Sequence, residues 1–528
     1  MSSFTPSPPS WVRDAVFYQI FPDRFARSAR VAPAGPYEAW DAPPTAHGFK
    51  GGDLLGVVER LDELAELGVT AIYLTPIFRS ASNHRYHTDD YFEVDPLLGG
   101  NAALRELIDA LHARGMRIVL DGVFNHCGRG FWPFHHVAEN GLHSPYAEWF
   151  RIDRARLESG HGLQPYWERV KGTVTDHESI TVRGSGYAAW WNIPALPKFD
   201  TDSATVREYL FSVAEHWLRF GIDGWRLDVP FEIEDRSFWA EFRRRCRAVN
   251  PEAYLVGEIW EVEPAWLEGD RFDALMNYPL LDAILSFVGG DSLDEQRVAD
   301  HHELRKHVRF TDALGFGARL TELLTVYAPA TVAAQLNLLS SHDMPRFRTL
   351  VNGDADVFRL ATLVQMSLPG APCVYYGDEI GMEGANDPDC RRGFPAGAAG
   401  RDEAVRETVR ALIALRRAHP ALRSDRVSVV AAEGQAIALE RGGPSDPSAK
   451  GERMLVAINA GARAAELMLE PSTFPGAAFT RLEVPGLDSA VAVVTEAEGR
   501  HLLQLPPRSA GLFLLATRAG LTSPESPA

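Results

Sequence analysis

Three acidic residues, Asp228, Glu258 and Asp343, each close an apolar, β-rich run, in Gly224-Trp225-Arg226-Leu227-Asp228, Leu255-Val256-Gly257-Glu258 and Ser341-His342-Asp343. Acids at the ends of parallel strands that close into a barrel converge on one pocket. Converging carboxylates suit cleavage of a glycosidic bond, where one carboxyl protonates the leaving oxygen and negative charge faces the oxocarbenium-like centre. Any single acid can instead cap the helix after its strand; three with these neighbours favour a shared site. Arg226 lies two residues before Asp228, so on a strand both side chains take one face. A guanidinium there favours the ionised carboxylate that a nucleophile must be. A purely structural Arg–Asp pair is the competing reading. Glu258 is flanked by Leu255, Val256, Ile259 and Trp260, an apolar setting that raises a carboxyl's pKa toward that of a general acid. His126 and His342 offer hydrogen-bond donors for hydroxyl groups, and Trp260 is placed to line a substrate path.

The elements that must position these groups alternate along most of the chain. Strand-like runs fall at residues 16–20, 69–74, 117–123, 224–229, 254–259, 274–278, 335–339 and 372–376. Between them, Val57, Leu61, Leu64 and Leu67 share one helical face, as do Leu104, Leu107, Ile108 and Leu111, and Val206, Leu210, Val213 and Trp217. Gly68, Gly115 and Gly221 follow these helices, where a left-handed cap needs a residue without a side chain. Eight strand–helix units with non-alternating strands predict an α/β fold, a parallel (β/α)8 TIM barrel. Residues 126–199 lack a long helical period and are expected to form a small domain inserted after the third strand. From residue 424 short β-like runs broken by Gly, Pro and Ser predict a C-terminal antiparallel β-sandwich to residue 517. Residues 1–125 and 200–423 then make the barrel, and 518–528 a disordered tail.

Bulk properties bound the function. Fifty-three basic against 71 acidic residues give a net charge of -18, which disfavours a phosphate-backbone partner, so no nucleic acid is expected. No apolar run is long enough to span a bilayer and no secretory signal is visible. The four cysteines form no CxxC pair, as expected of free thiols in a reducing compartment; the expected location is cytoplasmic, with no membrane partner.

The ordered segments Asp121-Gly-Val-Phe-Asn-His126, Leu196-Pro-Lys-Phe-Asp200, Gly224-Trp-Arg-Leu-Asp228, Gly257-Glu258 and His342-Asp343 resemble the motifs of the α-amylase family of retaining glycoside hydrolases. The resemblance implies Asp228 as nucleophile, Glu258 as general acid and then base, and Asp343 as the group that holds the distorted sugar. It places His126, Arg226 and His342 around the same sugar, with Tyr86 stacked beneath it. Asp387 and Arg391 match a pair that grips the next sugar outward, and Glu232 a position facing the acceptor side. Phe17-Tyr-Gln-Ile-Phe-Pro-Asp-Arg-Phe25, Gly51-Gly-Asp-Leu54, Gly257-Glu-Ile-Trp260 and Tyr376-Gly-Asp-Glu-Ile-Gly381 are most similar to the neopullulanase, cyclomaltodextrinase and maltogenic amylase group.

That resemblance implies hydrolysis of α-1,4 bonds in maltooligosaccharides, cyclodextrins, pullulan or starch, with maltose or short products and some transglycosylation. An ordinary starch-degrading α-amylase, or a transglycosylase or α-glucosidase of the same family, is the alternative. Non-catalytic relatives that serve membrane transporters lack the carboxylates kept here. The group's N-terminal sandwich domain has no counterpart before Val16, so a monomer or weak homo-oligomer with a wider cleft is expected. Residues 26–34 offer almost no oxygen ligands, whereas calcium takes six to eight. Lys198 stands where relatives carry an acid near a second calcium. Neither a metal nor another cofactor is expected, with Asp53 and Asn125 as isolated candidate ligands.

Overall fold

The computed structural model describes residues 7–33, 35–166, 184–470, 472–474, 477–487, 490–495 and 501–517. Strands β1 (Phe17–Ile20) and β2 (Ala71–Leu74) pair in parallel. A hairpin of β3 (Phe78–Ser80) and β4 (Thr88–Val94) rises beyond β2. The parallel sheet continues through β5 (Arg117–Gly122), β6 (Gly224–Leu227), β7 (Tyr254–Gly257), β8 (Ala274–Leu275), β9 (Leu336–Leu338) and β10 (Ala371–Tyr375). Its order is β8-β7-β6-β5-β2-β1-β10-β9. A parallel bridge between Met276 and Leu336, with Asn277 N–H donating to Leu336 O at 2.8 Å, joins the two ends. The eight-stranded barrel expected from the alternation is therefore present.

The strands are buried on both faces because helices cover them, which explains their continuous apolar runs. All twelve residues of the three predicted helical faces are buried. Gly68 and Gly221 adopt φ of 99° and 115°, the left-handed caps anticipated for them. Two expectations shift. The first helix is divided at Arg60 into Leu54–Glu59 and Leu61–Leu67. The sixth barrel strand stops at Leu275 because Asn277 caps the helix Tyr278–Val288, its side chain accepting from Leu280 N–H, with Pro279 in the first turn.

Between β5 and β6 the chain folds into a compact insert that includes a nine-residue helix, Trp132–Asn140. Its two ends meet in an antiparallel bridge between His126 and Lys198. Phe131, Phe134, Phe150, Tyr187 and Phe199 are buried within it. The C-terminal part forms β11 (Val427–Glu433), β12 (Ala436–Gly442), β13 (Arg453–Asn459), β14 (Ala465–Leu469), β15 (Ala477–Leu482), β16 (Ala492–Thr495), β17 (His501–Leu505) and β18 (Ser509–Thr517). They make two antiparallel sheets, β11-β12-β13-β18-β15 and β14-β17-β16, enclosing their own cluster around Leu467, Phe474, Leu503 and Phe513. All four cysteines are buried and unpaired. Among the described residues no helix is long and apolar enough to cross a membrane. The expected tail 518–528 lies outside the described residues, as does Trp167, which from the sequence could either stack on a sugar or join the core of the insert.

Candidate active site

Asp228 and Glu258 each sit one residue past the end of a barrel strand, β6 and β7, and Asp343 lies in the loop after β9. They line one cavity of about 1120 Å³ together with Tyr86, Trp260, Asp387 and Arg391. None of the three acids caps a helix: the turn after Asp228 starts from Val229, and that after Glu258 from Glu263.

Arg226 organises the floor. It is wholly buried, and its Nη1 donates to Asp121 Oδ1 and to Asp228 Oδ1, each at 2.9 Å. Its Nη2 lies 2.9 Å from Glu258 Oε2 as an ion pair without hydrogen-bond geometry. One cation therefore serves three buried carboxylates. Burial pushes Asp228 well above the usual carboxylate range; Arg226 pulls it back, and Glu258 and Asp121 push it further. Burial likewise raises Glu258, opposed by Arg226 and reinforced by Asp343, and lifts Asp121 to about 6. Arg226 does meet Asp228 as its strand position implies, but desolvation outweighs it.

Glu258 is oriented by two donors, the backbone N–H of Val229 to Oε2 at 3.1 Å and the Trp260 indole N–H to Oε1 at 3.3 Å. The first requires an unusual backbone, since Val229 adopts φ 34°, a strained conformation for a β-branched residue. Trp260 is in turn stacked on Tyr278, with ring centroids 3.5 Å apart.

A chain of polar contacts beside the acids holds Tyr86. Gln19 Nε2 lies 2.8 Å from His342 Nδ1, and with the amide donating, the imidazole proton sits on Nε2. That nitrogen faces the Tyr86 hydroxyl at 2.6 Å and Asp343 Oδ2 at 3.1 Å. Tyr86 donates onward to Asp121 Oδ2 at 2.9 Å, beside Tyr73 at 2.6 Å. Burial drives His342 well below its ordinary value, so the ring is neutral. Tyr86 occupies the turn of the β3–β4 hairpin, where buried Arg85, at φ 61°, is pinned to Asp95 Oδ2 by its Nε at 2.7 Å. Arg391 bridges the outer edge, with Nη2 3.2 Å from Asp343 Oδ1 and Nη1 2.8 Å from Asp387 Oδ1.

His126 is buried, stacked on Trp190 at 5.0 Å, and neutral because burial lowers its pKa to about 3. It does not itself line the cavity but backs Trp190, which does. Glu232 does not line the cavity: its Oε2 accepts from Lys198 Nζ at 2.8 Å, tying the insert to the loop after β6. The Asp53 carboxylate is occupied by Ser28 N–H and Gly56 N–H at 2.8 and 2.7 Å, and Asn125 Nδ2 faces His126 Nδ1 at 3.3 Å. Among the described residues, Glu261, Glu303 and His307 present ligand atoms close enough for one ion. They lie at the rim, with His307 and Glu261 in contact at 3.0 Å, which suits a solvated charge cluster.

Sequence reading left out several groups that the structure brings in. Asp121, quoted only as part of a motif, is a carboxylate inside a buried strand, and that burial was its signal. Gln19 and Tyr73 come from β1 and β2 and meet the site only through barrel closure. Trp190 and Trp191 were not left out: from the sequence they could equally stack on sugar faces or form the small core of the insert, and the structure sets both in the cavity lining, with Trp190 also stacked on His126.

Residues 19–411 match the family described as "Alpha amylase, catalytic domain". The cyclomaltodextrinase of Geobacillus thermopakistaniensis is 42% identical over 81% of this chain and 66% of its own length. The chain thus spans about two thirds of the length of that curated relative. A crystal structure from Thermus thermophilus superposes with a TM-score of 0.84 at 46% identity, covering 96% of this chain and 100% of that one. The Nostoc punctiforme debranching enzyme gives 0.82 at 43% identity, with 96% and 99% covered.

Proposed function

Because the chain belongs to the α-amylase family, we propose that it is a retaining glycoside hydrolase cleaving α-1,4-glucosidic bonds in maltooligosaccharides, cyclodextrins, pullulan or starch. Maltose and short products, with some transglycosylation, are expected of it. In this reading residues 1–125 and 200–423 form the catalytic unit, 126–199 an insert over it, and 424–517 a C-terminal sandwich.

The observation that carries the reading is the convergence of Asp228, Glu258 and Asp343 on one cavity, with Arg226 shared between the first two. A shared guanidinium draws two carboxylates together, favouring the separation of roughly 5 Å found in retaining pairs over the wider gap of inverting ones. The Asp228 carboxylate attacks the anomeric carbon as Glu258 gives its proton to the departing glycosidic oxygen. Glu258 then takes a proton from water, which attacks the glycosyl ester and frees Asp228. The proton is assigned to Glu258 because, of these two acids, Asp228 is the one that accepts a guanidinium hydrogen bond, which stabilises its ionised form. Asp343 faces sugar hydroxyls, the neutral His342 holds Asp343 and Tyr86 in place, Tyr86 offers its ring, and Arg391 with Asp387 bounds the far end.

A product time course with maltotriose, β-cyclodextrin, pullulan and soluble starch, run beside Asp228→Asn, tests this. Maltose accumulating from the small or cyclic substrates supports the reading, and an equally active Asn variant overturns the nucleophile. The 99% coverage of a debranching enzyme at 43% identity, against 79% of a cyclomaltodextrinase structure at 35% identity, favours α-1,6 cleavage as a second reading. Pullulan separates the two, since α-1,6 cleavage releases maltotriose and α-1,4 cleavage a trisaccharide that keeps its branch linkage.

A further inference from the structure

The cavity that holds the carboxylates is walled partly by the insert and partly by the segment after the helix Glu295–Asp300. Trp191 from the first wall meets His302 from the second, with ring centroids 5.8 Å apart and planes at 70°. That is contact distance for an edge-to-face pair. A sugar packed between two rings needs about 4 Å on each side, roughly 8 Å in all, so a pyranose does not fit between these two.

Both halves of the contact are anchored in the site. Trp191 stacks on Trp190 at 5.1 Å, and Trp190 on the buried His126 at 5.0 Å. The backbone of Trp191 and Asn192 is left-handed, with φ of 51° and 54°, a costly conformation for a bulky side chain and one retained where function holds it. On the other wall His302 stacks on His301 at 5.0 Å, whose Nε2 lies 3.2 Å from the carbonyl oxygen of Asp343. The line of rings runs from the buried His126 to the backbone of a candidate catalytic acid, joining the two walls of the cavity.

We propose that the Trp191–His302 contact is a bar between the two walls that sets substrate preference, favouring the free ends of linear α-glucans over the closed rings and internal segments that the enzyme cleaves more slowly. The inference rests on the glucan-hydrolase reading above. A free end slides beneath the bar along the cavity. A ring, or a segment with chain on both sides, must be laid in from the open face and requires the two walls to part.

The test is kcat/KM for β-cyclodextrin and for maltotriose in the wild type, Trp191→Ala, His302→Ala and the double variant. Their ratio cancels any general loss of folding or activity. Each single variant raises the ring-to-linear ratio about fivefold, the worth of one aromatic pair. The double variant raises it no further, since both changes remove one contact. An unchanged ratio overturns the bar. Calorimetric binding of the same two ligands separates this inference from the reading it rests on. A protein inactive on every glucan whose relative affinity for the ring still rises in Trp191→Ala sinks the hydrolase reading and keeps the bar. An active enzyme with an unaltered ratio keeps the hydrolase and removes the bar, and inactivity with unaltered binding removes both.

Discussion

Replacing Arg226 with Met removes the one cation that Asp121, Asp228 and Glu258 share, while filling most of the same buried space. Breaking a fully buried ion pair by deleting one partner costs about 3–5 kcal/mol, and here the partners are already raised by burial. The carboxylates respond by holding protons at higher pH. Asp228 must be ionised to attack, so the acid limb of kcat/KM moves to higher pH. At neutral pH the rate constant falls by roughly 10²- to 10⁴-fold, the same energy expressed as rate. Stability follows the same sign. A carboxyl whose pKa is higher folded than unfolded contributes stability below its unfolded pKa and loses it as pH rises through the folded value. The Met variant is therefore closest to the wild type in melting temperature near pH 5 and furthest from it near pH 8. Arg226→Lys keeps a charge but not the fork that reaches two partners, and falls between. A pH–rate profile and melting curves on the three proteins decide the matter. A Met variant within tenfold of the wild type, with an unmoved acid limb and an equal melting loss at both pH values, refutes the reasoning.

Asp343→Asn removes a negative charge that raises Glu258; as Glu258 must be protonated to act as an acid, the alkaline limb of the residual activity moves to lower pH. A limb that stays put or moves up contradicts this. Glu379 is buried with Tyr18 OH donating to it at 2.9 Å, and burial lifts its pKa to about 7. The protein accordingly loses stability as pH rises through that value, by about 3 kcal/mol at most, and Glu379→Gln flattens the dependence of the melting temperature between pH 5 and 8. Dialysis against a chelator leaves activity and melting temperature unchanged, because Lys198 on Glu232 already ties the insert and Asp53 is consumed as a cap. A fall of several degrees restored by calcium would show that a site exists.

How far the sequence foretold the structure depended on the range of the signal. Asp228, Glu258 and Arg226 were legible because strand ends, two-residue alternation and short motifs are local. Helical faces such as Leu104, Leu107, Ile108 and Leu111 were legible for the same reason. The sixth strand was read too long because Asn277 and Pro279, a cap and a first-turn proline, redirect an apolar run into a helix. Glu232 was read as facing an acceptor and instead holds Lys198, a partner 34 residues away that only the folding-back of the insert brings near. The relay from Gln19 through His342 and Tyr86 to Asp121 joins four elements, so no window of sequence contains it.

The central claim is that Asp228 forms a covalent glycosyl ester. Glu258→Gln treated with α-maltosyl fluoride tests it directly, since fluoride leaves without a proton while the ester then lacks its base for hydrolysis. Mass spectrometry is expected to find one maltosyl adduct, on the peptide that carries Asp228. An unmodified enzyme that turns the fluoride over to the inverted sugar, or an adduct on another residue, contradicts the account.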